Sequence, residues 1–274
     1  MDWSHFEHLI ELTNSGRTED AIRESGMLLA KATDANEKAS LLTGALVLCS
    51  RLGRFGEARQ TLDQIRQLEI SDAEVRLNAE FCEPCLLMDE GKHEEAVLAF
   101  ASMLQRNRDI LGEALFRYLY EDIQSRRALA LFGLSRFTEA LPILQEAIGF
   151  SFEEAVDDQR IHYALGVCCE ETNGTEGAKR EFFRVVGFNL KNGVEEQARY
   201  RLARLHVKAY AFAQARKQLE IILDEHSGPN YAVPCKYIYE QLSHVCTHLG
   251  DNPSAKLYMD LASAPPAQER GEET

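Results

Sequence analysis

Residues 40–68, SLLTGALVLCSRLGRFGEARQTLDQIRQL, contain two apolar helical segments joined by a short turn. After the turn, Ala58, Leu62 and Ile65 recur at positions i, i+4 and i+7, which places them on one face of a helix. Gly53 can adopt the left-handed conformation that ends a helix, so we expect the first helix to end there. The stretch therefore predicts a helix–turn–helix hairpin, with the small Ala58 where the two helices cross closely.

The same turn recurs along the chain, each time ending in an alanine followed by another apolar segment. The gaps between successive alanines are 37, 38, 44, 38, 37 and 40 residues. The longest gap contains residues 108–134, which we interpret as one long first helix with a lead-in. The aligned alanines are Ala21, Ala58, Ala96, Ala140, Ala178, Ala215 and Ala255. We expect the second helices to be capped by side-chain oxygens of Thr18, Thr138, Thr175 and Asn252.

This pattern resembles the tetratricopeptide repeat family, whose repeat is a helix–turn–helix with an L-G or L-A pair in the first helix and an alanine early in the second. The marks of the family are Leu165-Gly166 with Ala178, Leu202-Ala203 with Ala215, and Ala128 with Ala140. The resemblance covers roughly residues 2–262, although every gap exceeds the family period of about 34 residues.

The resemblance implies an all-α fold. We expect an α-solenoid of about fourteen helices that forms a right-handed superhelix, with the first helices lining its concave surface. Residues 1–264 are predicted to be a single solenoid domain, and residues 265–274 a disordered, charged tail.

Composition excludes several classes of function. The net charge of −14 argues against general nucleic-acid binding. No apolar run approaches the roughly 18 residues that span a bilayer, so no membrane association is expected. The N-terminal residues resemble no secretion signal, which predicts a cytoplasmic location. In that reducing compartment the seven cysteines are expected to be buried small apolar residues.

The segment CEPC, Cys82 to Cys85, has the spacing of a thioredoxin-like redox site. Such a site needs a strand before it and a helix that begins at the first cysteine, whereas the flanking sequence here indicates helix. We therefore interpret the two cysteines as structural residues of a helix that Pro84 kinks.

No other pattern indicates catalysis or a cofactor. No second Cys/His pair has zinc-finger spacing. Glu240, His244 and His248 lie at i, i+4 and i+8, but this spacing extends over about 12 Å of helix, too far for one ion. A solvated helix face is the interpretation we favour. No phosphate-binding, dinucleotide, zincin or nucleophile-elbow motif occurs. We predict a protein that is not an enzyme and has no cofactor.

The family resemblance implies that a partner peptide binds in the concave groove. Alignment of the repeats predicts groove positions at Thr43, Val47, Cys85, Ser125, Leu129, Val167, His244 and His248, and the residues we select for peptide binding are Arg51, Phe81, Met88, Tyr163, Tyr200, Arg201, Arg204 and Lys208. The alternative for each is an exposed residue without a ligand. The Lys and Asn positions of the family's carboxylate clamp hold Thr43, Phe81, Ser125, Tyr163 and Tyr200, which disfavours chaperone tails as ligands.

Charge is unevenly distributed. Residues 179–217 contain ten Lys and Arg against three acids, a local balance of +7, so the remaining residues carry −21. Arg201, Arg204 and Lys208 recur at i, i+3 and i+7 on one predicted helix. We hypothesise that an acidic peptide segment binds here, beside Tyr163 and Tyr200. The alternative is that these cations pair with the acidic repeats on either side.

The function that these observations favour is a non-enzymatic protein–protein interaction module or scaffold. The alternative is a peptide- or ligand-sensing regulatory protein of the extended-repeat type, acting on a separate effector. The sequence leaves the oligomeric state open.

Overall fold

The computed structural model describes residues 8, 9, 11–13, 15–150, 155–225 and 232–264. Every regular element in these residues is helical, which confirms the predicted all-α class. None of their helices is both long and apolar enough to cross a membrane. The chain divides into two compact units, residues 1–143 and 144–274, and the boundary falls within one helix. The predictions of one solenoid domain and of a right-handed superhelix stay predictions, and residues 265–274 lie outside the described residues.

Unit 1 contains the first hairpins. Residues 8, 9 and 11–13 are helical. The numbered helices of this unit are α1 (Thr18–Leu29), α2 (Ala35–Arg51), α3 (Phe55–Ile65), α4 (Ala73–Asp89), α5 (His93–Arg106), α6 (Arg108–Leu111) and α7 (Arg117–Gly133). The next helix, α8 (Phe137–Ala147), crosses the unit boundary after Ile143. The pairs α2–α3 and α4–α5 pack as hairpins, and α2 also packs against α4. A core of Leu42, Leu46, Leu62, Ile65 and Leu86 lies among α2, α3 and α4.

The lead-in predicted before the fourth turn is a separate piece of structure. It consists of the single helical turn α6 and a 3₁₀ turn, Ala114–Phe116, and α7 begins directly after it. Leu111 and Phe116 anchor this segment, because both side chains are buried. The 44-residue gap thus accommodates a short extra element rather than a longer helix.

Unit 2 contains α9 (Ala155–Glu171), α10 (Thr175–Gly187), α11 (Gly193–Lys208), α12 (Phe212–Glu225), α13 (Cys235–His248) and α14 (Asn252–Ser263). Its hairpins are α9–α10, α11–α12 and α13–α14, and successive hairpins also contact one another. Ala203, Leu219, Ile222, Ile238 and Leu242 belong to a core cluster that joins α11, α12 and α13. Tertiary packing of this kind stabilises helices that would be marginal alone.

The aligned alanines have the predicted role in both units. All seven lie on second helices, six with no exposed surface and Ala255 with 7%. Each of the seven turns also has one residue of positive φ. These residues are Gly16, Gly53, Gly91, Ser135, Asn173, Tyr210 and Gly250, with φ between 57° and 77°. The turn conformation is thus kept even where the residue is not glycine.

The predicted helix caps are wrong. Thr18, Thr175 and Asn252 are the first residues of their helices, and Thr138 lies inside α8. Side-chain caps occur instead mainly at the first helices, where Asp34, Asp72 and Asn192 accept from the backbone N–H groups of Glu37, Val75 and Glu195 at 2.9–3.0 Å. Where a second helix lacks a cap, the residue before it has no side-chain acceptor, as with Arg54, Lys92 and Gly174. Asp251, which has one, accepts from Ser254 N–H at the start of α14.

Candidate peptide-binding site

The basic stretch 179–217 lies entirely in unit 2, on α10, α11, α12 and the segments between them. Seven of its ten cations make ion pairs with carboxylates of the same unit: Lys179, Arg180, Arg184, Arg199, Arg201, Lys208 and Arg216. Within the described part of the chain, Lys191, Arg204 and Lys217 have no such partner. Ion pairs inside unit 2 therefore neutralise most, but not all, of the cations in the basic stretch.

Part of this pairing involves buried carboxylates. Glu181 has no exposed surface. Its carboxylate accepts hydrogen bonds from Arg180 at 2.8 Å, Arg184 at 3.3 Å and His162 at 2.8 Å. Burial acts to raise the pKa of Glu181, but hydrogen bonds from Arg180 and His162 more than offset it, so the pKa lies below its ordinary value. Arg199 is similarly held by the buried Glu195 at 2.6 Å. These cations are structural, because a buried carboxylate must be paired.

The basic face is the surface of α11 formed by Tyr200, Arg201, Arg204 and Lys208. Arg201 is half-buried and donates from Nη1 to Glu170 at 2.8 Å. Lys208 is exposed, and its Nζ lies 3.8 Å from the other oxygen of Glu170. Arg204 is exposed and has no ion-pair partner among the residues that the structure describes. One carboxylate thus faces three cations, which leaves this face with a formal charge of +2.

Two of the selected residues, Tyr163 and Tyr200, lie beside these arginines. The hydroxyl of Tyr163, on α9, accepts from Nε of Arg201 at 3.3 Å, and its ring lies 6.0 Å from that of Phe182. Tyr200 is half-buried against the core cluster of unit 2. Burial raises the pKa of its hydroxyl, and the charge of Arg204 opposes this shift. The structure therefore brings Tyr163 to Arg201 and Tyr200 to Arg204.

An aromatic edge lies at the α11–α12 turn and on α13. It contains the predicted groove positions His244 and His248, and it adds Tyr210 and Phe212, which sequence analysis missed. Phe212 stacks on His248 with ring centroids 4.4 Å apart and planes at 1°, and His244 lies 4.6 Å from His248. Tyr210 is 82% exposed and contacts Phe212 edge to face. The sequence signal was the bulky Tyr210 at a turn position where other repeats have Gly, Asn or Ser. Among the described residues, no group of three or more His, Cys, Asp or Glu side chains could hold a metal ion.

The remaining selected residues lie in unit 1. The ring of Phe81 lies 5.9 Å from that of Phe100, and the guanidinium of Arg126 lies 5.4 Å above it. Met88 is half-buried, and Arg51 is exposed at the end of α2. Of the other groove positions, Ser125 and Val167 are buried in the core, 3% and 2% exposed, so their prediction as groove residues is wrong.

No family model matches the chain, and no curated protein matches it. Solved structures do. A signal transduction ATPase of the STAND class with a tetratricopeptide repeat sensor, from Pyrococcus horikoshii, is 14% identical with a TM-score of 0.75, and the match covers 95% of this chain and 41% of that one. The quorum sensor NprR from B. thuringiensis is 12% identical, with a TM-score of 0.71 and coverage of 98% and 75%. A tetratricopeptide repeat protein from Parabacteroides merdae is 14% identical, with a TM-score of 0.53 and coverage of 98% and 93%.

This chain has the tetratricopeptide repeat fold. In the terms of that fold, α2, α4, α7, α9, α11 and α13 are the first helices of their repeats, and the basic face lies on the first helix of the sixth. At identities this low, the similarity shows the fold alone.

The CEPC segment, Cys82 to Cys85, lies within a helix of the tetratricopeptide repeat fold. Cys82 and Cys85 lie in the interior of α4, the first helix of the third repeat, and the helix continues through Pro84. Burial raises the pKa of Cys82 to about 11 and also raises that of Cys85. A reactive thiol needs a lowered pKa, so the shifts run against a redox role. None of the seven cysteines, all of which the structure describes, is in a disulfide.

Proposed function

We propose that the chain is a non-enzymatic protein–protein interaction module that binds an acidic peptide segment of a partner on the basic face of unit 2. The observation that carries this proposal is Arg204. It is exposed on α11 without a carboxylate partner in the described residues, between the aromatic Tyr200 and the exposed Lys208. A guanidinium in this position can form a bidentate pair with a carboxylate of the ligand.

Neighbouring groups add to this capacity. Arg201 is held by Glu170 and Tyr163, so it contributes a fixed positive charge rather than a free donor. Lys208 lies at the long limit of an ion pair with Glu170 and can turn to a ligand. Tyr200 offers contact area at low entropic cost. Arg51, Phe81 and Met88 remain proposed ligand-contacting positions of unit 1.

The test is a pull-down of the partner from the native host, followed by calorimetric titration of the wild type and of the double variant Arg204→Glu with Lys208→Glu. We expect the double variant to bind more weakly by about 2 kcal/mol or more, which is about thirtyfold. Wild-type affinity should also fall as NaCl is raised, because exposed charges are screened over about 10 Å at 0.1 M.

The matched control is Lys191→Glu with Lys217→Glu, which makes the same change of net charge in the same basic stretch. Neither lysine is ion-paired in the described residues, and neither lies on the basic face. Equal affinities for the two double variants, with unchanged helical circular dichroism, would show that only overall charge matters and would refute the basic face as the site.

The alternative function is a sensor that acts on a separate effector when it binds a peptide or small ligand. Two of the similar structures favour it, because one is described as a quorum sensor and the other as having a repeat sensor. A sensor should release or recruit its partner when the ligand is added, whereas a scaffold should hold the partner regardless. We propose the cytoplasm as the location for either function, where the seven thiols would stay reduced.

A further inference from the structure

A pocket in unit 1 is lined by none of the residues that sequence analysis selected for peptide binding. It has a volume of about 250 Å³ and lies between α3, the segment that follows it, α4 and the end of α5. We call this cavity the loop pocket. It is lined by Leu62, Ile65, Arg66, Leu68, Ile70, Arg76, Ala79, Glu80, Glu83 and Arg106.

The floor of the loop pocket is apolar. Leu62, Ile65 and Ala79 are buried members of the unit 1 core, and Leu68 and Ile70 pack against that core while staying half-exposed. The last two lie in residues 66–72, the segment between α3 and α4. The repeat here is 38 residues long, against a family period of about 34. The additional loop residues of this repeat thus form a wall of the pocket.

The rim of the loop pocket is charged, and one of its arginines has no ion-pair partner in the described residues. Arg66 pairs with Glu83 at 2.8 Å, and Arg106 with Glu80 at 3.5 Å. Asn107 also donates to Glu80 at 3.0 Å. The third guanidinium, Arg76, is half-buried and has neither an ion pair nor a side-chain hydrogen bond within the described residues. Arg66 also pairs with Asp63 at 3.1 Å, so Arg76 is the one arginine of the lining without a carboxylate partner in the described residues.

We propose that the loop pocket binds a small amphipathic monocarboxylate, with its apolar body on the floor and its carboxylate on Arg76. A half-buried guanidinium beside an apolar floor matches such a ligand, because a carboxylate takes two parallel hydrogen bonds from the fork of an arginine. One carboxylate matches the single unpaired guanidinium of Arg76, whereas a phosphate dianion would bring a second negative charge without a free cation to meet it. Drug-sized ligands occupy pockets of about 300–1,000 Å³, so this volume fits a smaller molecule.

The test is titration of the full chain with octanoate, a carboxylate of about ten non-hydrogen atoms, followed by calorimetry and by NMR of the Leu and Ile methyl groups. We expect saturable binding, with shifts at Leu68 and Ile70. Arg76→Gln should weaken binding by about tenfold or more, since a hydrogen bond to a charged group is lost. Arg108→Gln is the matched control, because Arg108 is exposed in the same unit and outside the pocket lining.

Two further probes separate the parts of the proposal. Acetate supplies the charge without the apolar body, and octanol supplies the body without the charge, so both should bind far more weakly than octanoate. Absence of saturable octanoate binding, equal binding by Arg76→Gln and wild type, or an acetate affinity equal to that of octanoate would each overturn the proposal. Because the pocket lies in unit 1 and the basic face in unit 2, these outcomes do not depend on whether the basic face binds a peptide.

Discussion

At Gly166 the absence of a side chain allows α9 and α10 to approach closely. A Cβ atom at this position would lie 2.7 Å from the ring of Phe182, closer than real Cβ atoms come. The ring cannot move aside easily, because Phe182 has no exposed surface. The L-G pair of the family motif therefore has a direct steric reason here.

Gly166→Ala should lower the free energy of unfolding by about 1–3 kcal/mol, because an added methyl group overpacks a closed interior. The expected sign is opposite to that of an ordinary helical glycine, where alanine stabilises by about 0.5–1 kcal/mol. Urea unfolding followed by circular dichroism measures the size and the sign of this change in the free energy of unfolding.

Gly44→Ala is the matched control for this substitution. Gly44 also lies in the middle of a first helix, α2, and a Cβ atom there would meet no atom of a neighbouring element within 4 Å. If Gly166→Ala were as stable as wild type or more so, the close approach of α9 and α10 would not be the reason for the glycine.

At the scale of elements, α11 does more than carry the basic face. Its buried Glu196 accepts from the backbone N–H groups of Ala232 and Val233 at 3.0 and 2.6 Å. These residues lie just before α13. Gly193 allows the same approach, because a Cβ there would lie 2.9 Å from the Cβ of Ala232. One helix thus fixes where the next hairpin begins.

Glu196→Ala should loosen this connection. Two backbone N–H groups would lose their acceptor. Val233 is buried, so its unsatisfied N–H costs about 1–3 kcal/mol, whereas Ala232 is exposed and water can take the place of the carboxylate there. We expect faster amide hydrogen exchange at Ala232 and Val233 and a lower Tm, measured by exchange mass spectrometry and calorimetry.

Gln197→Ala serves as the control, since Gln197 is the next residue on α11 and makes no side-chain hydrogen bond in the described residues. In the Gln197→Ala variant, the rate of amide hydrogen exchange at Ala232 and Val233 should match that of the wild type. Unchanged exchange in Glu196→Ala would mean that other contacts hold the start of α13.

For the whole molecule, the dominant electrostatic fact is the net charge of −14. A chain far from neutrality repels itself, and salt reduces that repulsion. The ion pairs of buried Glu181 and Glu195 are screened little, whereas exposed pairs contribute only about 0–1 kcal/mol each. Relief of repulsion should therefore outweigh the loss of exposed pairs.

Raising NaCl from about 10 mM to about 150 mM should increase the Tm, because the Debye length falls from about 30 Å to about 8 Å. A gain of about 1 kcal/mol corresponds to roughly 2–4 °C for a chain of this size. Scanning calorimetry at the two concentrations measures it. The same change should weaken partner binding, so the two salt effects have opposite signs. A Tm that falls with salt would show that exposed ion pairs outweigh net repulsion.

The number and place of the hairpins could be predicted from the amino-acid sequence alone. The alanine at each second helix and the left-handed residue at each turn act within a few residues of the chain, so their pattern is visible without coordinates. The candidate site was only partly predictable. Tyr200, Arg204 and Lys208 could be placed on one helix by spacing alone, but their pairing could not.

Packing of the folded chain determines which charges are already used. Arg201 meets Glu170 from 31 positions away, Glu196 meets Val233 from 37, and the wall of the loop pocket comes from a segment without periodicity. A local pattern contains no information about such partners, because they approach only when separate helices pack. For that reason the sequence could indicate a basic stretch but not which of its cations are paired. Packing pairs most of them and leaves Arg204 without a carboxylate partner in the described residues. In the same way it leaves Arg76 of the loop pocket without an ion pair among the residues that the structure describes.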